Sequence, residues 1–135
     1  MNLLLDTHVL LWALTDDERL SDKARTLLEM TTNDIFYSTV SLWEIELKQQ
    51  SKPHSINNNA TDIAKYCEQA GYKCLQLKSN HISRLDDVND EIAGSLKHKD
   101  PFDRMLLAQS ISENLLFLTH DEKLIYYKNP FVLLI

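Results

Sequence analysis

Short apolar runs alternate with longer stretches in which apolar residues recur at helical spacing along this 135-residue chain. Short, continuous apolar runs are typical of buried strands, and apolar positions three or four residues apart are typical of helices. Strands that alternate with helices predict an α/β fold with a mostly parallel central sheet and three α/β/α layers. We expect a single domain over residues 1–135, with four or five strands and six or seven helices. The candidate strands are 3–5, 35–38, 74–77, 115–118 and 131–135.

Polar residues predict where several of the helices begin and end. Thr7 is expected to cap the first helix, and Ser41 to cap the helix that follows the second strand. Glu44 lies three residues after Ser41, a spacing that fits a capping box as well as it fits a functional carboxylate. Gly71 is expected to end the next helix. The acidic stretch 86–97 has no periodic pattern and is expected to be irregular.

The sequence Asp-Pro-Phe-Asp-Arg at 100–104 is expected to open a long helix that ends near Asn114. Asp100 is a suitable N-cap, and Pro101 suits the first turn because a proline there forfeits no helical hydrogen bond. Asp103 then falls inside the first turn, so both carboxylates lie at the positive end of the helix dipole. Capping alone explains this arrangement, and its functional meaning depends on the other acidic residues.

Acidic residues also lie at the ends of other predicted elements. Asp6 follows the first strand, Glu44 lies in an early helical turn, and Asp121 follows the fourth strand. The carboxyl ends of parallel strands meet at one edge of a sheet, where ligands bind in open α/β folds. Carboxylates gathered there, with Asp100 and Asp103, would repel one another unless a cation lay among them. Mg²⁺ prefers such oxygen ligands, so the pattern indicates a divalent metal site.

Composition and charge restrict the possible functions. The net charge of −6 opposes nucleic-acid binding, although two Mg²⁺ ions would reduce it to −2. Two glycines leave no glycine-rich phosphate loop. Cys67 and Cys74 lack metal-type spacing, so we expect reduced thiols and a cytoplasmic location. No apolar run approaches the roughly 20 residues of a membrane span, and the first residues lack the basic segment of a signal peptide.

Four stretches together resemble the PIN-domain proteins, and specifically the VapC-like toxin ribonucleases of type II toxin–antitoxin pairs. They are Leu-Leu-Leu-Asp-Thr-His at 3–8, the segment 38–45 with its Trp-Glu-Ile, Asp-Pro-Phe-Asp-Arg at 100–104, and Leu-Thr-His-Asp at 118–121. Each is weak alone, and the third is the most specific. Their order and spacing cover nearly the whole chain.

The resemblance implies a PIN-like fold and endonucleolytic hydrolysis of RNA by metal-activated water, which leaves a 5′-phosphate and a 3′-hydroxyl. It also implies a homodimer and an inhibitory antitoxin partner. The metal would be Mg²⁺ or Mn²⁺, held by an acidic quartet beside residues that orient the carboxylates or contact water. The quartet is Asp6, Glu44, Asp103 and Asp121, and the neighbouring residues are Thr7, Thr119 and Asp100, the last of which is equally explained as a helix cap.

Two other functional classes stay open. A phosphatase with an aspartyl-phosphate intermediate could use Asp6 as its nucleophile, although the Asp-x-Asp spacing of haloacid-dehalogenase-like enzymes is absent because residue 8 is histidine. In a non-catalytic interaction module, the acids would only cap helices.

The sequence does not indicate which residues would bind the substrate, because few Lys or Arg residues lie near the motifs. Trp12 and Trp43 are expected to be core or interface residues. His8, His98 and His120 each lie within two or three residues of a proposed metal carboxylate, so a loose role near phosphate stays open beside the surface or helix-end positions that we expect.

Overall fold

Five parallel strands form one sheet in the computed structural model of the chain, in the order β3-β2-β1-β4-β5. The structure describes residues 1–54, 57–90, 100–122 and 132–135. The predicted α/β fold with a mostly parallel sheet is confirmed. The strands are β1 (Asn2–Leu5), β2 (Asp34–Ser38), β3 (Lys73–Leu75), β4 (Leu116–Thr119) and β5 (Val132–Leu134).

Helices cover both faces of this sheet. Successive side chains of a strand point to opposite faces, so Leu3 and Leu5 of β1 enter one hydrophobic cluster and Leu4 enters the other. The first cluster includes residues of α1, α2 and α4, and the second includes residues of α6 and α7. The helices in the described ranges are α1 (Thr7–Thr15), α2 (Asp22–Glu29), α3 (Thr39–Ser51), α4 (Ala60–Gln69), α5 (Ser79–Ser83), α6 (Leu85–Asp90) and α7 (Pro101–Glu113).

Two helices begin earlier than the sequence predicts. Asp6, not Thr7, caps α1, because its carboxylate accepts a hydrogen bond from the backbone N–H three residues later at 2.8 Å. Ser38, not Ser41, caps α3, since its hydroxyl accepts from the N–H two residues later at 3.0 Å. In both places the strand passes into the helix without a loop, so a residue at the strand end becomes the cap. The predicted capping box between Ser41 and Glu44 is therefore wrong.

The start and end of α7 are as predicted. The carboxylate of Asp100 accepts hydrogen bonds from the backbone N–H groups of Phe102 at 2.8 Å and of Asp103 at 3.3 Å. Asn114 ends the helix with a left-handed backbone conformation, at φ 56°. Local signals were sufficient here because both ends carry residues whose side chains or backbone preferences favour that position.

One further prediction needs correction, and another is narrowed. The stretch 86–97 is not irregular throughout, since α6 continues to Asp90, while 91–97 lies outside the described residues. Of the two alternatives for Trp43, core or interface, the core is excluded because the residue is 57% exposed. Of the described helices, none is long and apolar enough to cross a membrane.

The order in which strands are added to the sheet reverses at β1. The chain adds β2 and β3 on one side of β1, and later adds β4 and β5 on the other side. Ligands of open α/β sheets bind outside the carboxyl ends of the strands at such a switch point. The residues that end β1 and β4 therefore mark the part of the molecule where a functional site is expected.

Candidate functional site

Asp6 lies at the switch point and is only 3% exposed. One carboxylate oxygen, Oδ1, accepts from the backbone N–H of Val9 at 2.8 Å, and the other, Oδ2, accepts from Oγ1 of Thr119 at 2.5 Å. Loss of hydration on burial raises the pKa of Asp6, and the hydrogen bonds from Thr119 and Val9 offset only part of that effect. A negative charge on Asp6 is therefore incompletely stabilised by the described protein groups.

Thr119 joins the ends of the two central strands at this position. Its buried hydroxyl donates to Asp6 and accepts from the backbone N–H of Asp121 at 3.1 Å. Thr119 therefore orients the carboxylate of Asp6 and restrains the backbone from which the side chain of Asp121 projects.

Glu44 is the second buried carboxylate near the strand ends. It is 4% exposed, and its Oε2 pairs with Nζ of Lys48 at 3.0 Å. Its Oε1 is buried and has no hydrogen-bond partner among the described residues. The predicted site residue Thr7 lies nearby in the fold, and its hydroxyl donates to the hydroxyl of Ser41 at 3.0 Å, which joins α1 to α3 one turn before Glu44. An unpaired buried carboxylate oxygen is costly, and a cation would remove that cost.

The start of α7 lies beside α3. The ring centroid of Phe102 is 5.1 Å from that of Trp43. Phe102 directly precedes the half-buried Asp103, and Trp43 directly precedes Glu44. Asp100 uses its carboxylate to cap α7, which favours the capping explanation for this residue. The described contacts link β4 to β1 through Thr119, α1 to α3 through Thr7, and α7 to α3 through Phe102.

The quartet does not form a complete coordination sphere in these side-chain positions. In the described ranges, no three His, Cys, Asp or Glu side chains are arranged as a group that could hold a metal ion. The donor set nevertheless fits a hard divalent cation, because Asp6 and Glu44 are buried carboxylates and one oxygen of Glu44 has no hydrogen-bond donor within the described part of the chain.

An aromatic and imidazole cluster lies beside Asp6. The sequence pointed to His8 and His120 near the proposed carboxylates but not to their contacts with Trp12, and His98 lies outside the described residues. Nδ1 of His120 lies 3.8 Å from Oδ2 of Asp6, and the His120 ring is 4.4 Å from Trp12 and 5.5 Å from His8, centroid to centroid. His8 and Trp12 are four residues apart, so they share one face of α1. That spacing, directly after Asp6, was the available signal. Lys48 was also missed, although it lies four residues after Glu44 at the spacing of a helical ion pair.

Comparison with known proteins gives a family match and structural neighbours. The family model of the PIN domain matches residues 3–129. The structure of VapBC2 from Rickettsia felis bound to a DNA fragment from their promoter has a TM-score of 0.68 and 14% identity, over 100% of this chain and 98% of that chain. DNA-bound VapBC from Salmonella typhimurium has a TM-score of 0.66 and 14% identity, over 100% and 97%. VapBC-5 from Mycobacterium tuberculosis has a TM-score of 0.61 and 16% identity, over 99% and 97%. No curated protein matches the chain. At these identities the neighbours establish a shared fold.

Proposed function

Since the chain belongs to the PIN-domain family, we propose that it is a Mg²⁺- or Mn²⁺-dependent endoribonuclease and the toxin of a toxin–antitoxin pair. The observation that carries this proposal is the pair of buried carboxylates, Asp6 at the switch point of the sheet and Glu44 on α3. One oxygen of Glu44 has no hydrogen-bond partner among the described residues, which favours a bound cation over a purely structural role.

The residues that would hold the metal are Asp6, Glu44, Asp103 and Asp121. A divalent cation bound there supplies polarisation of the phosphodiester and a lower pKa for the attacking water. Asp6 and Glu44 contribute negative charge from an interior position, where an electrostatic interaction is stronger than in water. The products would carry a 5′-phosphate and a 3′-hydroxyl.

Neighbouring side chains keep these carboxylates in place. Thr119 donates to Oδ2 of Asp6 and so restricts rotation of that carboxylate. Lys48 holds Oε2 of Glu44, which leaves Oε1 available for a ligand. The hydrogen bond from Thr7 to Ser41 joins the two helices that carry Asp6 and Glu44 at their starts. These contacts hold the carboxylates in the orientation that metal binding requires.

A protein partner belongs to the same proposal. The structural neighbours named above are VapBC assemblies, and VapBC-5 is described as a member of a family of toxin–antitoxin systems. On α3, Trp43 is 57% exposed and Leu47 is 41% exposed, and their four-residue spacing places them on one face. An exposed apolar surface beside Glu44 is suited to binding an inhibitory antitoxin. The proposal also includes a homodimer of this chain.

The test of this proposal is cleavage of labelled single-stranded and structured RNAs by the purified full chain. We expect cleavage with Mg²⁺ or Mn²⁺ and none with EDTA. Asp6→Asn and Asp103→Asn should each lower the rate by on the order of a hundredfold or more, because each removes a charged ligand. Asp22→Asn is the matched control, since Asp22 is an exposed first-turn acid on α2 and should leave the rate unchanged.

Other outcomes would contradict the proposal. Cleavage that survives EDTA would exclude a metal-dependent reaction. Cleavage that Asp6→Asn and Asp103→Asn do not change would exclude these acids from the reaction. Hydrolysis of a phosphate monoester without RNA cleavage would favour the phosphatase alternative. A folded protein that cleaves neither substrate would favour the interaction module.

A further inference from the structure

The imidazole of His120 faces the carboxylate of Asp6 without forming a hydrogen bond to it. Nδ1 of His120 lies 3.8 Å from Oδ2 of Asp6, which exceeds the distance range of a hydrogen bond. Nδ1 is buried and has no hydrogen-bond partner among the described residues, although the side chain as a whole is 37% exposed. A buried polar atom of this kind costs free energy unless a ligand or another group satisfies it.

Packing against α1 holds the His120 ring in this orientation. Its centroid lies 4.4 Å from that of Trp12, and its plane is at 84° to the ring of His8, whose centroid is 5.5 Å away. Both neighbours belong to α1, whose N-cap is Asp6. Rotation of the His120 ring away from Asp6 would break contacts with two other rings. Nδ1 is therefore kept facing Asp6 by contacts that do not use its lone pair.

One divalent cation could bind both groups. Bonds from an imidazole nitrogen or a carboxylate oxygen to such a cation are about 2.0–2.2 Å long, so two ligand atoms 3.8 Å apart can bind the same ion. Oδ2 of Asp6 already accepts from Thr119 at 2.5 Å, and a carboxylate oxygen has a second lone pair for a cation. A neutral His120 with its proton on Nε2 presents the lone pair of Nδ1 to that ion.

We propose that Nδ1 of His120 binds the same cation as Oδ2 of Asp6, as a nitrogen ligand added to the acidic quartet. This ligand gives the site a preference for later first-row transition metals, such as Co²⁺, over Mg²⁺. The reason is that imidazole binds transition metals well, whereas the ligands that Mg²⁺ prefers are oxygen atoms. The inference rests on the proposed metal-dependent function and specifies the ligand set and the metal class of that same site.

Pulsed electron paramagnetic resonance of the Mn²⁺-loaded full chain, prepared without a polyhistidine tag, detects a nitrogen atom bound to the metal. The wild type should show a hyperfine coupling to a nitrogen nucleus. His120→Phe should lose this coupling, while its ring still packs against Trp12. His8→Phe is the matched control, since it removes an exposed imidazole of the same ring cluster and should keep the coupling. Circular dichroism confirms that each variant is folded.

Isothermal titration calorimetry with Co²⁺, and with Mg²⁺ in competition, measures the metal preference. His120→Phe should weaken Co²⁺ binding by about tenfold or more and Mg²⁺ binding by about threefold or less, because only Co²⁺ gains strongly from a nitrogen ligand. His8→Phe should change either affinity by about twofold or less. Equal losses of Co²⁺ and Mg²⁺ affinity in His120→Phe would overturn the inference and leave His120 as a packing residue.

The spectra of the wild type decide the question even if His120→Phe does not fold. Bound Mn²⁺ without a nitrogen coupling would overturn the inference, and a water molecule between His120 and Asp6 would then explain their separation. A coupling that His8→Phe abolishes and His120→Phe retains would assign the nitrogen to the wrong imidazole.

Cleavage assays separate this inference from the proposed function. A wild type that cleaves RNA with Mg²⁺, but whose bound Mn²⁺ has no nitrogen coupling, would refute the His120 ligand alone. A wild type that shows the coupling and loses it in His120→Phe, but cleaves no RNA, would refute the nuclease proposal and retain the nitrogen ligand.

Discussion

The carboxylate of Asp6 caps a helix and is also buried, and these two features have opposite effects on the stability of its negative charge. As the N-cap of α1 it is suitably placed, because a carboxylate at a helix N-terminus accepts a backbone hydrogen bond and interacts favourably with the helix dipole. As a buried residue, however, it loses hydration, and this raises its pKa above the ordinary value of 3.8. A role in capping would not require such deep burial. The combination is expected where a buried charge has a function.

The neutral variant Asp6→Asn should therefore stabilise the protein in EDTA at neutral pH, by about 1–2 kcal/mol, a typical gain when a strained functional group is removed. The sign follows from proton linkage. Because the pKa of Asp6 is higher in the folded state, folding favours the protonated form, and wild-type stability falls as pH rises from 3.8 through the folded-state pKa. The difference in free energy of unfolding between the variant and the wild type should grow over that pH interval and then become constant. Urea unfolding at a series of pH values measures it.

A matched substitution controls for the loss of any helix-terminal charge. Asp22→Asn removes an exposed acid from the first turn of α2 and should lower stability slightly, since the helix dipole favours a negative charge there. An Asp6→Asn protein that is less stable than the wild type at neutral pH in EDTA would show that the capping role outweighs the cost of burying the charge.

The candidate acids could be predicted at the residue scale, but their contacts could not. Asp6, Asp103 and Asp121 stood out because each lies at the end of an element whose hydrophobic pattern is clear. The ion pair of Glu44 with Lys48, and the unpaired oxygen that it leaves, depend on side-chain rotamers and on the packing of α3. These details are set by tertiary structure and have no local sequence signal.

At the scale of elements, a buried polar network holds α5 and α7 against the end of β2. Nδ1 of the fully buried His81 accepts from the backbone N–H of Lys78 at 3.0 Å and lies 3.3 Å from the amide nitrogen of Gln109. The proton of the neutral ring is therefore on Nε2, which donates to Glu113 at 2.7 Å. Gln109 in turn accepts from the hydroxyl of Ser38, the cap of α3, at 2.5 Å. This network positions the helix that carries Glu44.

Replacing His81 with alanine should destabilise the fold by roughly 2–4 kcal/mol, because it leaves a cavity and removes the partners of buried polar groups. Urea denaturation monitored by circular dichroism measures the change. His54→Ala is the control, since His54 is exposed and should change stability by less than about 0.5 kcal/mol. A His81→Ala protein as stable as the control would mean that the network contributes little to the packing of α5 and α7.

The element boundaries that could be predicted are those where the local sequence strongly favours a helix start or end. The boundaries of α7 were clear because Asp100, Pro101 and Asn114 each favour their observed positions. The caps of α1 and α3 were misplaced because a strand and a helix meet there without a loop, and the pattern does not divide the junction. The short helix α6 carries two acids in its first turn but no apolar periodicity, so its packing against α7 was not foreseeable.

At the scale of the whole molecule, the strand order explains contacts between residues that are far apart in the sequence. Strand order places the ends of β1 and β4 side by side, which brings Asp6 and Thr119 into contact across 113 residues of sequence. The net charge of −6 opposes nucleic-acid binding unless cations offset it at the site where the substrate meets the chain. Local potential near a site, more than net charge, determines which ligands approach it.

The most direct test of the account is titration of the purified full chain with Mn²⁺ by isothermal titration calorimetry. The wild type should bind the metal, and Glu44→Gln should bind it at least about tenfold more weakly because a buried charged ligand is lost. Asp22→Asn should bind as the wild type does. Absence of Mn²⁺ binding by the wild type, or equal affinity in Glu44→Gln, would contradict the claim that the buried carboxylates Asp6 and Glu44 form a metal site.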